Sequence, residues 1–236
     1  MFTSMAAMHA VGWHGKLPTV GDFATRRLDS NFVTVWDDWL SAGLARLRSH
    51  DPDGWLEAYL ASPTWRFLTL PGFFPAPLHV QAWTGVVMPS VDRVGRYYPL
   101  TLAAPLPGVP TDPDVQLALW VWMQRLEDAA IDALQEDWSI DLLETELLRV
   151  GLPPQVPSPG LHTGPVPLNS MPAGLAAGGA ASVPASMESF FAACAAATQP
   201  PVGRAPCVWY NEADISSPRM LCSPAMDGSI AELWKG

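Results

Sequence analysis

The sequence predicts an α/β or α+β sandwich in which a central antiparallel sheet is flanked by helices, and three observations carry that prediction. Two long stretches repeat apolar residues at three- and four-residue steps, the period of a helix that buries one face. Short runs of aromatic and β-branched residues, punctuated by Pro and Gly, follow one another between those helices instead of alternating with them. That order favours hairpin pairing over the crossover units of a parallel sheet. The material for a large core is also present, since 49% of the 236 residues are hydrophobic and eleven are tryptophan.

Taken in order, GWHGKLPTVGDF (Gly12 to Phe23) reads as a strand running into a tight turn. SNFVTVWDDWLSAGLARLRSH forms the first helix, with Phe32, Trp36, Trp39, Leu40, Gly43, Leu44 and Leu47 on its apolar face. Ser30 is the expected N-cap, and Arg46 and Arg48 suit the negative end of the helix dipole. DGWLEAYLAS, around Trp55, Tyr59 and Leu60, is a shorter helix ended by Ser62-Pro63. Three strands are expected next, Trp65 to Pro71, Val80 to Pro89 and Tyr97 to Pro105. Thr111-Asp112-Pro113-Asp114 then supplies a capping hydroxyl, a first-turn proline and an acid for a helix running from Val115 to Trp138. Ile140 to Val150 continues as another helix, stopped by Gly151 and Pro153. Pro153 to Pro184, rich in Pro, Gly, Ala and Ser, reads as a long loop or linker. Pattern returns from Ser186 to Leu233, with strands at Pro206 to Asn211 and Arg219 to Ser223 joined by an acidic turn.

Composition excludes several function classes. With 13 basic and 23 acidic residues, a net charge of −10 and a pI near 4.7, the chain lacks the basic footprint that a nucleic-acid partner requires. Gln155 to Met187 contains no Lys, Arg, Asp or Glu, but its prolines forbid a membrane-spanning helix, so no membrane insertion is expected. The N-terminus has no secretory leader pattern, and the expected location is the cytoplasm. Cys194, Cys207 and Cys222 fit neither a metal pair nor a disulfide framework and read as buried small apolar residues.

The search for chemistry is largely negative. Gly15-Lys16 is followed by Leu17, so it is not a phosphate loop. His9, His14, His50, His79 and His162 are scattered without metal-ligand spacing, no nucleophile elbow occurs, and the expectation is no cofactor, no metal and no catalytic set. Asp37 with Asp38 and Glu144 with Glu146 read as solvated helix faces. One stretch stands apart: MPSVDRVGRYYPL, Met88 to Leu100, concentrates charge and tyrosine in a charge-poor chain. Ser90 to Arg96 is the expected connection of a hairpin, with Gly95 supplying the turn conformation. Asp92 either pairs with Arg93 or Arg96 to stiffen this loop, or the loop offers an Arg and Tyr surface to a partner.

The residues from Gly12 through Leu100 resemble the TagF (also called ImpM) family associated with bacterial type VI secretion. Gly15, Lys16, Pro18, Gly21, Asp22 and Phe23, then Trp36, Asp37, Trp39 and Leu40, then Trp65, Arg66 and Phe67, and finally Gly85, Pro89, Ser90, Asp92, Arg93, Gly95, Arg96, Pro99 and Leu100 fall on its pattern. VWYNEADISSPRMLCSPAMDGSIAELW is similar to the family's closing strand, turn, strand and short final helix. The resemblance implies a single α/β sandwich, similar to longin-like or signal-recognition-receptor accessory domains, with residues 153–184 an insertion between a main part (11–151) and a closing segment (186–236). It implies a cytoplasmic post-translational repressor of type VI secretion that is not an enzyme and binds a forkhead-associated scaffold protein. The surfaces expected to carry that binding are Lys16, Asp22 and Phe23 in the first turn and Ser90, Asp92, Arg93, Arg96 and Tyr97 in the loop. Two other readings stay open: an anion or phosphate sensor or enzyme using Asp92, Arg93 and Arg96, and a constitutive structural subunit.

Overall fold

Among the described residues of the computed structural model, every paired strand lies in one antiparallel sheet. The structure describes residues 10–154, 187–197, 206–212, 219–223, 226 and 228–234. In chain order the elements are β1 (Gly12–Gly15), β2 (Ala24–Arg26), α1 (Ser30–His50), α2 (Trp55–Ala61), β3 (Trp65–Thr69), a short 3-10 turn (Leu78–Val80), β4 (Ala82–Met88), β5 (Leu100–Leu106), α3 (Pro113–Gln135), α4 (Ile140–Val150), α5 (Met187–Ala197), β6 (Cys207–Asn211), β7 (Arg219–Ser223) and a closing 3-10 segment (Gly228–Trp234). The strand order is β2-β1-β5-β4-β3-β6-β7. The sandwich with a central antiparallel sheet is therefore the observed fold.

Strand side chains alternate between faces, and here that alternation builds two cores. Leu68, Val86, Leu102, Val208 and Tyr210 face α3, α4 and α5, where they meet Trp120, Met123, Leu126, Leu147 and Phe190. Trp65, Phe67, Trp83, Val87 and Trp209 face the other way, onto Phe32, Trp36, Trp39 and Leu40 of α1 and onto Trp234. Trp36 also donates from its indole nitrogen to Thr101 Oγ1 at 2.9 Å, so a buried polar pair fixes α1 against β5. At Gly43 the helix backbone comes so close to the closing segment that an added Cβ would sit 2.4 Å from Ile230 Cγ2. Nothing larger fits there without a shift.

Several boundaries differ from the sequence-based expectation, each for a local reason. Asp29 caps α1 by accepting from Asn31 N at 2.8 Å, and Ser30 is already inside the helix. Asp112, one residue after Thr111, caps α3 by accepting from Asp114 N and Val115 N. A carboxylate adds charge to the cap hydrogen bond and so is favoured at this end of the dipole. Helix α3 stops at Gln135, short of Trp138, where Asp137 takes a positive φ of 51°. The third expected strand begins at Leu100 because Tyr97 forms only an isolated bridge to Val91. Strand β2 and helix α5 are additional to the elements read from the sequence. Cys194 and Cys207 are buried as expected, whereas Cys222 is exposed on the edge strand β7. The Pro-rich stretch from Pro153 to Pro184 lies outside the described residues from Gln155 onward. Among the described residues no helix is long and apolar enough to cross a membrane, and no three His, Cys, Asp or Glu side chains are placed to hold a metal.

Candidate interaction site

Strands β4 and β5 pair along their whole length, so Ser90 to Arg96 is the connection of an antiparallel hairpin as the sequence indicates. Its centre is Asp92, which is buried. One carboxylate oxygen, Oδ1, accepts from the backbone N–H groups of Val94 (3.0 Å) and Arg96 (2.9 Å), closing the turn over Gly95, whose φ is +80°. The other, Oδ2, accepts from Lys16 Nζ at 2.9 Å and from Arg96 Nε at 2.7 Å. Burial alone would raise the pKa of this carboxyl, but the donated hydrogen bonds outweigh it and hold the group well below the ordinary value. Lys16 is itself buried, so the pair satisfies two charges that would otherwise be stranded.

A second set of bonds clamps the loop to the first turn. Ser90 Oγ donates to Lys16 O at 2.7 Å, and Arg93 N donates to Val20 O at 3.0 Å. Arg96 Nη2 donates to the Gly21 carbonyl. Tyr59 of α2 bonds both ways with Ser90, accepting from its N–H at 2.9 Å and donating to its carbonyl at 3.1 Å. The sequence candidates thus divide into two groups. Lys16, Ser90 and Asp92 are buried struts, and Tyr97 packs edge-on against Trp55 and Tyr59 of α2. Asp22, Phe23, Arg93 and Arg96 reach the surface, with Phe23 45% exposed and the neighbouring Val94 64% exposed. Within the loop Asp92 pairs with Arg96, which also lies 3.9 Å from Asp22, and Arg93 contributes its backbone N–H.

Beneath Phe23 lies an array that sequence reading missed. The His14 ring stacks on Phe23 at 5.7 Å, and the ring edge of Tyr98 meets Phe23 at 4.8 Å. Tyr98 donates to Asp37 Oδ1 at 2.6 Å, His14 Nε2 lies 3.5 Å from the same oxygen, and His14 Nδ1 bonds Thr25 Oγ1 at 2.7 Å. Burial pushes the His14 pKa down, against the opposing pull of Asp37. Burial, and then the neighbouring Asp37, push the Tyr98 hydroxyl up. Asp37 is therefore a polar anchor between α1, β1 and the residues leading into β5 instead of a freely solvated charge. Glu144 departs from its expected role in the same way. It accepts from Trp13 Nε1 at 2.6 Å and from Arg27 Nη2 at 3.0 Å, and these bonds hold its pKa low despite partial burial. No sequence pattern links His14, Asp37 and Tyr98, because they lie on three separate segments that only the fold brings together.

A family model described as TagF N-terminal domain, type VI secretion system-associated, matches residues 12–150, the span that holds every residue of this site. Among solved structures, the crystal structure of PA0076 from Pseudomonas aeruginosa PAO1 is similar over 96% of this chain and 94% of that one, at 27% sequence identity and a TM-score of 0.66. Comparison with curated proteins gives no match.

Proposed function

Because the chain belongs to the TagF N-terminal domain family of type VI secretion system-associated proteins, we propose that it is a cytoplasmic repressor of such a system and acts after translation by docking onto a forkhead-associated scaffold protein. The observation that carries this reading is a surface presented without slack. Phe23, Val94, Arg93 and Arg96 are exposed, yet the backbone beneath them is tied to a buried Lys16 and Asp92 pair and to Tyr59. An exposed aromatic, an apolar side chain and two arginines on a rigid mount form an interface of low ordering cost. No catalytic chemistry is assigned to it.

The anion-sensor reading draws less support from the geometry. Arg96 gives its Nε to Asp92 and its Nη2 to the Gly21 carbonyl, so its guanidinium is already engaged beside a carboxylate.

The test is a pull-down of the full chain with the forkhead-associated protein from the same gene neighbourhood. The comparison is an Arg93→Glu, Val94→Asp variant, which keeps every side chain that bonds to Asp92. Binding by the parent, with at least a tenfold loss in a variant of unchanged Tm, is the expected result. Equal binding by both moves the interface elsewhere, and no binding by the parent removes the proposed partner.

A further inference from the structure

A cleft of about 330 Å³ opens between the C-terminal half of α3 and the residues leading into β3. It lies at the same end of the sheet as the loop just described, since Met88 lines it and stands two positions before Ser90. Pro63, Met88, Ile131 and Leu134 give it apolar walls, and two carboxylates, Glu127 and Glu212, also line it.

Those carboxylates share one cation. Arg66 Nε donates to Glu127 Oε2 at 2.6 Å, and Arg66 Nη2 donates to Glu212 Oε2 at 3.2 Å. Arg66 is 4% exposed and its guanidinium carbon sits 4.9 Å from the Trp120 ring and 5.6 Å from the Tyr210 ring. It cannot turn outward, and its Nη1 is sealed from solvent and offers the cleft no donor. The Tyr210 hydroxyl donates to Glu212 Oε1 at 2.6 Å and fixes the second carboxylate in place. Among the described residues, two carboxylates face one guanidinium in this partly desolvated wall. Burial, more than any neighbouring charge, raises the pKa of Glu127; Arg66 opposes that rise, and Glu212 and Asp128 add a smaller push upward.

We propose that this cleft takes the side chain of a lysine or arginine from a partner protein, with the alkyl stem on the apolar walls and the cationic head against Glu127 and Glu212. A long basic side chain matches both halves of the lining, because its stem is apolar and its head is charged. Mg²⁺ or Ca²⁺ takes six or more oxygen ligands, whereas both carboxylates here are already bonded to Arg66 and the rest of the lining is four apolar side chains with Ser62, Thr64 and Gln135. The proposal rests on reading this end of the sheet as a docking face, and it names the partner chemistry one part of that face selects.

Capped pentapeptides Ala-Ala-Xaa-Ala-Ala, with Xaa as Lys, Arg, Gln or norleucine, are titrated into the full chain at constant ionic strength while the Ile131 methyl resonance is followed. The Lys or Arg peptide should saturate the shift with a Kd at least about tenfold below that of the norleucine peptide. Glu212→Gln, at a carboxylate 40% exposed, should abolish that preference, with Tm measured beside it. If that variant does lose stability, Leu134→Trp, which fills the cleft, should block the shift for every peptide. No saturable shift, equal Kd values across the series, a preference that survives in the variants, or the same shift from Mg²⁺ alone would overturn the proposal. No forkhead-associated protein is present in this titration, so it can fail while the pull-down succeeds, and the reverse.

Discussion

Asp92 accepts four hydrogen bonds inside the protein and is the point where the β4 to β5 loop and the first turn are locked together. Because its folded pKa lies below the ordinary value of 3.8, its contribution is present above that pH and is lost as pH falls below it. His14 acts at a higher pH. Its folded pKa lies below 6.5, so the fold favours the neutral ring, and stability declines as pH drops through 6.5 and the unfolded chain takes up the proton. Thermal unfolding followed by circular dichroism should therefore show Tm falling in two steps on acidification. His14→Asn should flatten the step near pH 6.5, and Asp92→Asn should flatten the acid step while lowering Tm at neutral pH, since it weakens the compensation of buried Lys16. An unchanged profile in either variant would remove that residue from the account. The Asp92 and Arg96 pairing was one of two readings open in the sequence, because four-residue spacing across a Gly turn permits it. The Lys16 half was not legible, since the two residues are separated by the whole of α1, α2, β3 and β4.

At the scale of elements, periodicity located α1, α3 and α4 and the strands β3 to β7 because each buries one face or both against a neighbour. It was weaker at helix starts, where Thr111 and Asp112, or Asp29 and Ser30, are chemically eligible side by side. The observed geometry gives Asp112 two backbone donors, so Asp112→Ala should cost about 1 kcal/mol in urea unfolding and Thr111→Ala should be near neutral. The reverse order would restore the hydroxyl cap. Strand β2 went unread because its three residues are half-buried or exposed and carry no hydrophobic alternation. It exists because β1 offers an open edge for Ala24, Thr25 and Arg26 to pair with. Helix α5 is apolar over nearly its whole length, so its sequence has little amphipathic period to read.

For the whole molecule, the matched family span ends at Val150, yet the sheet does not. Strand β6 pairs with the outer edge of β3, carries Trp209 into the α1-side core and is followed by Glu212, which helps satisfy Arg66. A chain cut after residue 154 would expose that edge and both cores, and it should show no cooperative urea transition, whereas the full chain should; a cooperative fragment would make the closing segment an appendage. By itself the sequence determined the layers, the antiparallel class, the hairpin that carries the candidate site and the family, because period, punctuation and motif spacing are local properties of a chain. Which charged residues became struts and which stayed on the surface was decided only by tertiary structure. Burial and pairing depend on neighbours far apart in sequence, as Lys16 with Asp92, Trp13 with Glu144 and Arg66 with Glu212 all are.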